Sequence, residues 1–296
     1  MRTAIHLGAL VSLLVCAASG CRLFTSHASS FAGHSPLHPA QASPDSVAME
    51  IIWARFSAND PVLDDSAWRE IDETQIDPAV RRELVNNGLR AGVISSSVPP
   101  AIAKVLHEGE SKQDASPEQE TQAATAAKPQ TSELLAEPIV RGRKCRLRRN
   151  QRSEIQASEV YPSLPLLVSG GAELGGHTYA QAQAIYALRV DPRPDRTATV
   201  ELTPEIHHGL PQLRYTGEDG FLRQTSLRDR EVFDRLRVSV KLAPGEMLVL
   251  MSLPDAGSRL GHYFHTVDST DGPQQKLILI RLAEVPPSGT FADTAN

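Results

Sequence analysis

The sequence predicts an α+β protein, with a small N-terminal β-α-α-β-α domain followed by a mainly-β, antiparallel C-terminal domain. Two stretches carry that reading. Between Val47 and Glu108, short apolar strands alternate with helical segments whose ends are well marked. Between Val232 and Leu282 lie the densest β signals of the chain. There Leu236, Val238, Val240 and Leu242 alternate with Arg237, Ser239 and Lys241, the period of a half-buried strand. Ala243-Pro244-Gly245-Glu246 reads as a type II turn, Pro fixing φ and Gly taking φ > 0. Met247 to Leu253 is then expected to run back as a nearly all-apolar strand, and Leu277 to Leu282 to form a third. These three strands are expected at the centre of the larger domain.

At 296 residues the chain has room for two modest domains and their linkers. A net charge of −5 with 5% aromatic residues gives no reason to expect a nucleic-acid partner. Three Cys, widely scattered, do not make a disulfide framework. Arg2, the apolar run Ala4 to Ala18 and the small residues before Cys21 read as a secretory signal over residues 1–20. Its apolar core is too short for a membrane-spanning helix. Cys21 resembles the lipobox cysteine of bacterial lipoproteins, whose thiol is diacylated, with Ala18 where Leu is usual. The alternative is ordinary signal cleavage with Cys21 incidental. Arg22 stands where an Asp retains such lipoproteins at the inner membrane. The expected address is therefore the outer membrane, facing the periplasm or the cell surface, after secretion across the inner membrane.

Residues 21–46, rich in Ser, His, Ala and Pro, fit a flexible tether. In the small α+β domain, placed at residues 47–109, AMEIIWARF frames the first strand. Asp64-Asp65-Ser66 opens a short helix through Trp68. Asp77-Pro78 supplies an N-cap and a first-turn Pro, and Asn87-Gly88 closes that helix. Leu89 to Ile94 is the second strand, and Pro99-Pro100 opens a third helix. Trp53 and Trp68 are expected in the core. Residues 110–137 hold too few apolar groups to offset the entropy of ordering and read as a linker.

The mainly-β domain is placed at residues 138–285, with residues 286–296 as a tail. Arg141 to Arg152 carries seven basic residues. Arg141, Arg143, Lys144, Arg146, Arg148 and Arg149 are candidates for binding an anionic surface. The competing reading is an exposed strand with Cys145 and Leu147 turned inward, and no aromatics interleave as base stacking would need. Gly171 to Thr178 approaches the phosphate-loop template, but His177 stands where Lys is required, so the segment reads as a glycine-rich loop between strands. Thr178 to Val190 alternates as a strand, with helix the alternative on alanine content, and Thr197 to Ile206 is another strand. Phe221 to Arg230, mostly polar, is expected to be a loop or excursion. His207, His208, His262 and His265 are candidate zinc ligands, with one helical turn needed to bring the last two together. Neither HExxH nor GxSxG is present. No cofactor is expected.

Val200-Glu-Leu-Thr-Pro-Glu-Ile206 resembles the V-x-V-T-P-x-I strand of bacterial secretins, the outer-membrane pore rings of secretion systems. Arg237 to Leu250 is similar to the strand, glycine turn and strand that follow there, and Lys276 to Leu282 to their terminal strand. The resemblance covers about the last 90 residues and implies shared strand architecture without a working pore. The secretin motif V-P-x-L-G-x-I-P has no counterpart, and Gly257 to Phe264 occupies its place. A non-catalytic envelope component is expected, anchored in a membrane by lipid and meeting a protein partner or its own copies through β edges. The alternative is an extracytoplasmic metal-binding protein or hydrolase that uses the C-terminal histidines.

Overall fold

The computed structural model describes residues 45–57, 68–95, 97–104, 106–107, 140–170, 173–218, 221–254, 256–269 and 272–286. The signal segment, Cys21, nearly all of the tether, Asp64-Asp65-Ser66, the linker 110–137 and residues 287–296 lie outside them. The described chain is mostly antiparallel β-sheet. Its elements are β1 (Ser46–Ser57), α1 (Pro78–Asn86), β2 (Leu89–Ile94), β3 (Val140–Arg148), β4 (Ser153–Ser169), β5 (Leu174–Pro192) and β6 (Ala198–Glu218). They continue with β7 (Phe221–Val232), β8 (Val238–Leu242), β9 (Met247–Ser252), α2 (Leu260–His265), β10 (Thr266–Ser269) and β11 (Gly272–Glu284).

One sheet has the order β2-β9-β11-β1-β3, with β10 also on β11; the other runs β4-β5-β6-β7, with β8 also on β6. They pack face to face. Met49, Ile51, Leu250, Ile278 and Ile280 of the first meet Ile155, Tyr186, Leu188, Val200 and Val240 of the second. The far side of the first sheet is covered too: Phe56, Val249, Met251 and Leu279 pack under Trp68, Ile71 and Ile102. Strands β9 and β11 are thus buried on both faces, which explains their unbroken apolar runs. Strand β8 is buried on one face only, so Val238, Val240 and Leu242 are inside while Ser239 and Lys241 are exposed, as the alternation predicts.

Local signals were accurate. The Asp77 carboxylate accepts from the Ala79 and Val80 amides at 2.8 and 3.2 Å, capping α1. Gly245 has φ +96°, and the Glu246 amide donates to the Ala243 carbonyl at 3.0 Å, closing the type II turn. Residues 174–190 are strand, not helix.

Long-range pairings correct four expectations. The segment 47–109 is not a separate domain from 138–285. Ile51 pairs with Ile280, Met49 with Cys145 and Ala91 with Leu250, so β1 and β2 belong to the same sheet as β3, β9 and β11. Strand β1 has apolar residues on both faces, and only a middle layer buries both. The Ala243–Glu246 turn does not make a hairpin, because β8 lies in one sheet and β9 in the other. It is a corner, tied to β11 by the Gly245 amide on the Leu282 carbonyl (2.7 Å) and the Leu282 amide on that of Glu246 (3.1 Å). Phe221 to Arg230 is strand β7, which pairs with β6, and an outer strand needs no continuous apolar pattern. The glycine-rich segment is mostly strand as well, with Gly176 and His177 paired to Leu167 and Leu166.

The end of α1 is where separate elements are tied together. The Asn87 side chain accepts from the Ser169 amide (2.9 Å) and donates to the Ser169 carbonyl (3.1 Å), holding the end of β4. The Asn87 carbonyl takes the Gly261 amide at 3.0 Å, and the Gly88 carbonyl takes the Leu253 amide at 2.9 Å. A Cβ on Gly261 would stand 1.8 Å from the Gly88 oxygen, so α2 reaches this position only with glycine there. Gly261→Ala is therefore expected to cost about 3 kcal/mol or more in urea unfolding. Gly142→Ala, on β3 where a Cβ meets nothing within 4 Å, is expected to change stability by less than about 0.5 kcal/mol.

Candidate functional site

The four candidate zinc histidines are not brought together. His265 ends α2 and is fully buried between the sheets. Its Nδ1 lies 2.7 Å from the Lys276 carbonyl, which can only accept, so Nδ1 carries the proton. Its Nε2 lies 2.9 Å from the Tyr186 hydroxyl, which then donates. Both ring nitrogens are engaged and neither is open to a metal. His262, on the same helical turn, is half-buried with its ring edge-on to Tyr263. His208 lies against Tyr179, which also contacts His177, with ring centroids 4.9 and 4.4 Å apart. His207 projects from β6 to a carboxylate, Glu205. Among the described residues, no group of three or more His, Cys, Asp or Glu is placed to hold a metal ion.

The Glu205 carboxylate is a feature that sequence reasoning passed over. It is 4% exposed, and its Oε2 accepts from Arg152 at 2.6 Å and from His207 Nε2 at 2.8 Å. Burial pushes its pKa up, but the His207 hydrogen bond and the Arg152 charge outweigh that and hold it below the ordinary value. Arg152 also pairs with Glu154. The signal for it was parity: Glu205 alternates with the buried Leu202 and Ile206 and shares a face with Thr203 and His207. The cluster borders a depression of about 180 Å³ whose lining includes Arg189, Thr203, Arg230 and Arg237. A wider depression of about 560 Å³, between the end of α1 and the start of β5, is lined by Val85, Asn86, Ser169, Leu174 and Arg259 among others. Among the described residues, that second lining includes no His, Cys, Asp, Glu or Lys.

The basic stretch Arg141 to Arg149 forms β3 and the turn after it. Arg141, Arg143, Lys144, Arg146, Arg148 and Arg149 are all exposed, while Leu147 is buried and Cys145 half-buried against the core. Burial raises the Cys145 thiol pKa, against the opposing charge of Arg143, which keeps it protonated. Arg143 lies over the Trp53 ring and donates to the Glu154 carbonyl at 3.2 Å.

Lys276, whose alternating neighbours Gln275 and Leu277 serve the other face, turns inward beside His265. It is 9% exposed, and its Nζ donates to the Ala157 carbonyl in the bulge that shifts the β4–β5 register. Burial, with the nearby Arg55 charge and against that of Glu159, lowers its pKa from 10.5 to about 8. Burial lowers His265 from 6.5 to about 3, with the Lys276 charge adding to it and the hydrogen bond to the Lys276 carbonyl opposing.

Both shifts set a pH dependence of stability. Between 6.5 and about 3 the unfolded chain takes a proton on His265 that the folded chain refuses, so stability falls as pH drops through that window. Between about 8 and 10.5 the folded chain has released the Lys276 proton and the unfolded chain has not, so stability contributed at that site rises with pH. Urea midpoints across pH should show both trends, and Lys276→Met should abolish the alkaline rise. The His265 ring should remain neutral by NMR at about pH 5, and protonation there would refute the assignment. No family model matches the chain, and neither a curated protein nor a solved structure matches it.

Proposed function

We propose that this chain is a non-catalytic lipoprotein of the cell envelope, anchored through Cys21 and assembling with its own copies or a partner by strand edges, in the manner of secretin-type assemblies. The observation that carries the reading is the β6–β7 hairpin. Strand β6 is 21 residues long, and β7, of 12 residues, pairs along one side only among the described residues. Within and beyond a bulge between His208 and Gln212 the hairpin presents Leu210, Leu213 and Leu227, which are 74, 68 and 42% exposed. A long outer strand beside exposed leucines is a surface that normally needs covering.

The resemblance of Val200–Ile206 and Arg237–Leu250 to secretin strands falls on β6, β8 and β9. Two consecutive long hairpins, β4–β5 and β6–β7, make up the path of the second sheet. Beyond His207 no strand pairs with the β5 side of β6 among the described residues. Strand β7 of one copy can therefore meet β6 of the next head to tail, a pairing that closes into a ring when the rotation per subunit permits it. The tether 21–46 would let the assembly stand away from the lipid.

The test is the native mass of full-length protein extracted from membranes in mild detergent, read by light scattering. A ring-sized particle of many subunits is expected. Leu213→Lys with Leu227→Lys should shift it to small species without lowering the melting temperature, because both side chains are exposed. A monomer at every concentration would sink the assembly reading, and recovery without detergent would sink the anchor.

A further inference from the structure

The other outer strand of interest is β3, on the opposite sheet from β7. Its sequence VRGRKCRLR holds five basic residues in nine and no acid. Among the described residues β3 pairs with β1 on one side, and no strand pairs with its other side. Successive side chains point to opposite faces of a strand. Arg141 and Arg143 share the parity of Cys145 and Leu147, whereas Lys144, Arg146 and Arg148 take the other, and all five are exposed. Arg146 reaches only an exposed partner, Glu284, at 3.4 Å, an ion pair that contributes little.

This arrangement selects among occupants. A second copy of β3 laid against the first would set like charges directly across from each other, which is unfavourable. A flat anionic surface could meet the bases of one face and would leave those of the other unused. An extended acidic strand placed at about 4.8 Å from β3 answers both faces at once, and its backbone takes up the unpaired amides and carbonyls.

We infer that β3 is a docking edge for an extended, acidic segment of a partner protein, bound by strand addition. The inference stands independently of the use made of β7.

The test uses the full-length protein and a labelled peptide of the 9-residue length of β3 that alternates Glu and Val. Saturable binding by anisotropy is expected, with new hydrogen-exchange protection confined to β3. Lys144→Glu with Arg146→Glu should weaken binding about tenfold while leaving the melting temperature unchanged. A Lys-Val peptide should not bind, and N-methylation of alternate peptide amides should abolish binding by the Glu-Val peptide, because strand addition needs backbone donors. Equal binding of the N-methylated peptide would reduce the effect to ion exchange and overturn the inference. It would equally be overturned if anionic vesicles protected β3 and the peptide did not, or if β3 became protected on self-association alone.

Discussion

The turn Asn87-Gly88 is the constraint on which the rest of the structure depends. Asn87 is fully buried, and its side chain closes a two-way hydrogen bond with the Ser169 backbone at the end of β4. The two carbonyls of the turn receive the amides that end β9 and begin α2. Four elements from distant parts of the chain therefore meet at two residues. The geometry requires glycine on both sides of the contact: Gly88 has φ +75°, and Gly261 lies too close to the Gly88 oxygen for any side chain. Once α2 is seated there, its Leu260 and Phe264 enter the core between the sheets, and His265 is drawn in with them.

The polar groups carried inward by α2 and β11 are arranged along one line of contact with the second sheet. Tyr186 of β5, His265 and the Lys276 backbone form a chain of hydrogen bonds. The Tyr161 hydroxyl donates to the Tyr263 carbonyl, and the Tyr263 hydroxyl donates to that of Pro165. The first chain joins the two sheets through α2, and the two tyrosine bonds tie α2 to β4. A buried lysine costs free energy, as its lowered pKa records. Its compensation is that the Ala157 carbonyl, displaced from the β4–β5 ladder by the bulge, is not left unpaired. Such a group fixes register more than it adds stability.

What was legible in the sequence was what neighbours in the chain decide. Asp77-Pro78 announced the start of α1, Pro244-Gly245 a type II turn, and the alternation of Val238, Val240 and Leu242 a strand with one face buried. What was not legible depends on partners far away. Nothing in AMEIIWARF says that its strand lies between residues 272–284 and 140–148. The type II turn is the same whether the chain returns to its own sheet or crosses to the other. Strand β7 was hidden because an outer strand can be polar on both faces. The histidines were candidates for ligands by proximity in sequence, yet the burial of His265 is set by a glycine contact many residues away. Glu205, the more unusual ionisable group, was masked by the strand pattern around it.

The four lateral edges of the two sheets are treated in different ways, and the differences follow from charge and covering. Beyond β2, Asp72 exchanges both backbone hydrogen bonds with Val93 at 2.9 Å, which closes that edge near the end of the strand. At β4 the carbonyls of Glu154, Gln156 and Ala157 accept from the side chains of Arg143, Trp53 and Lys276, and the Leu167 amide donates to Ser258. Both closures come from within the described chain. The edges at β3 and β7 have no equivalent closure among the described residues, and they differ from each other in kind. Strand β3 carries like charge on both faces, which repels its own copy, and β7 stands beside exposed leucines, which do not. With one edge of each sheet closed from inside, self-association through the β6–β7 hairpin and recognition of a different partner at β3 need not compete for the same backbone.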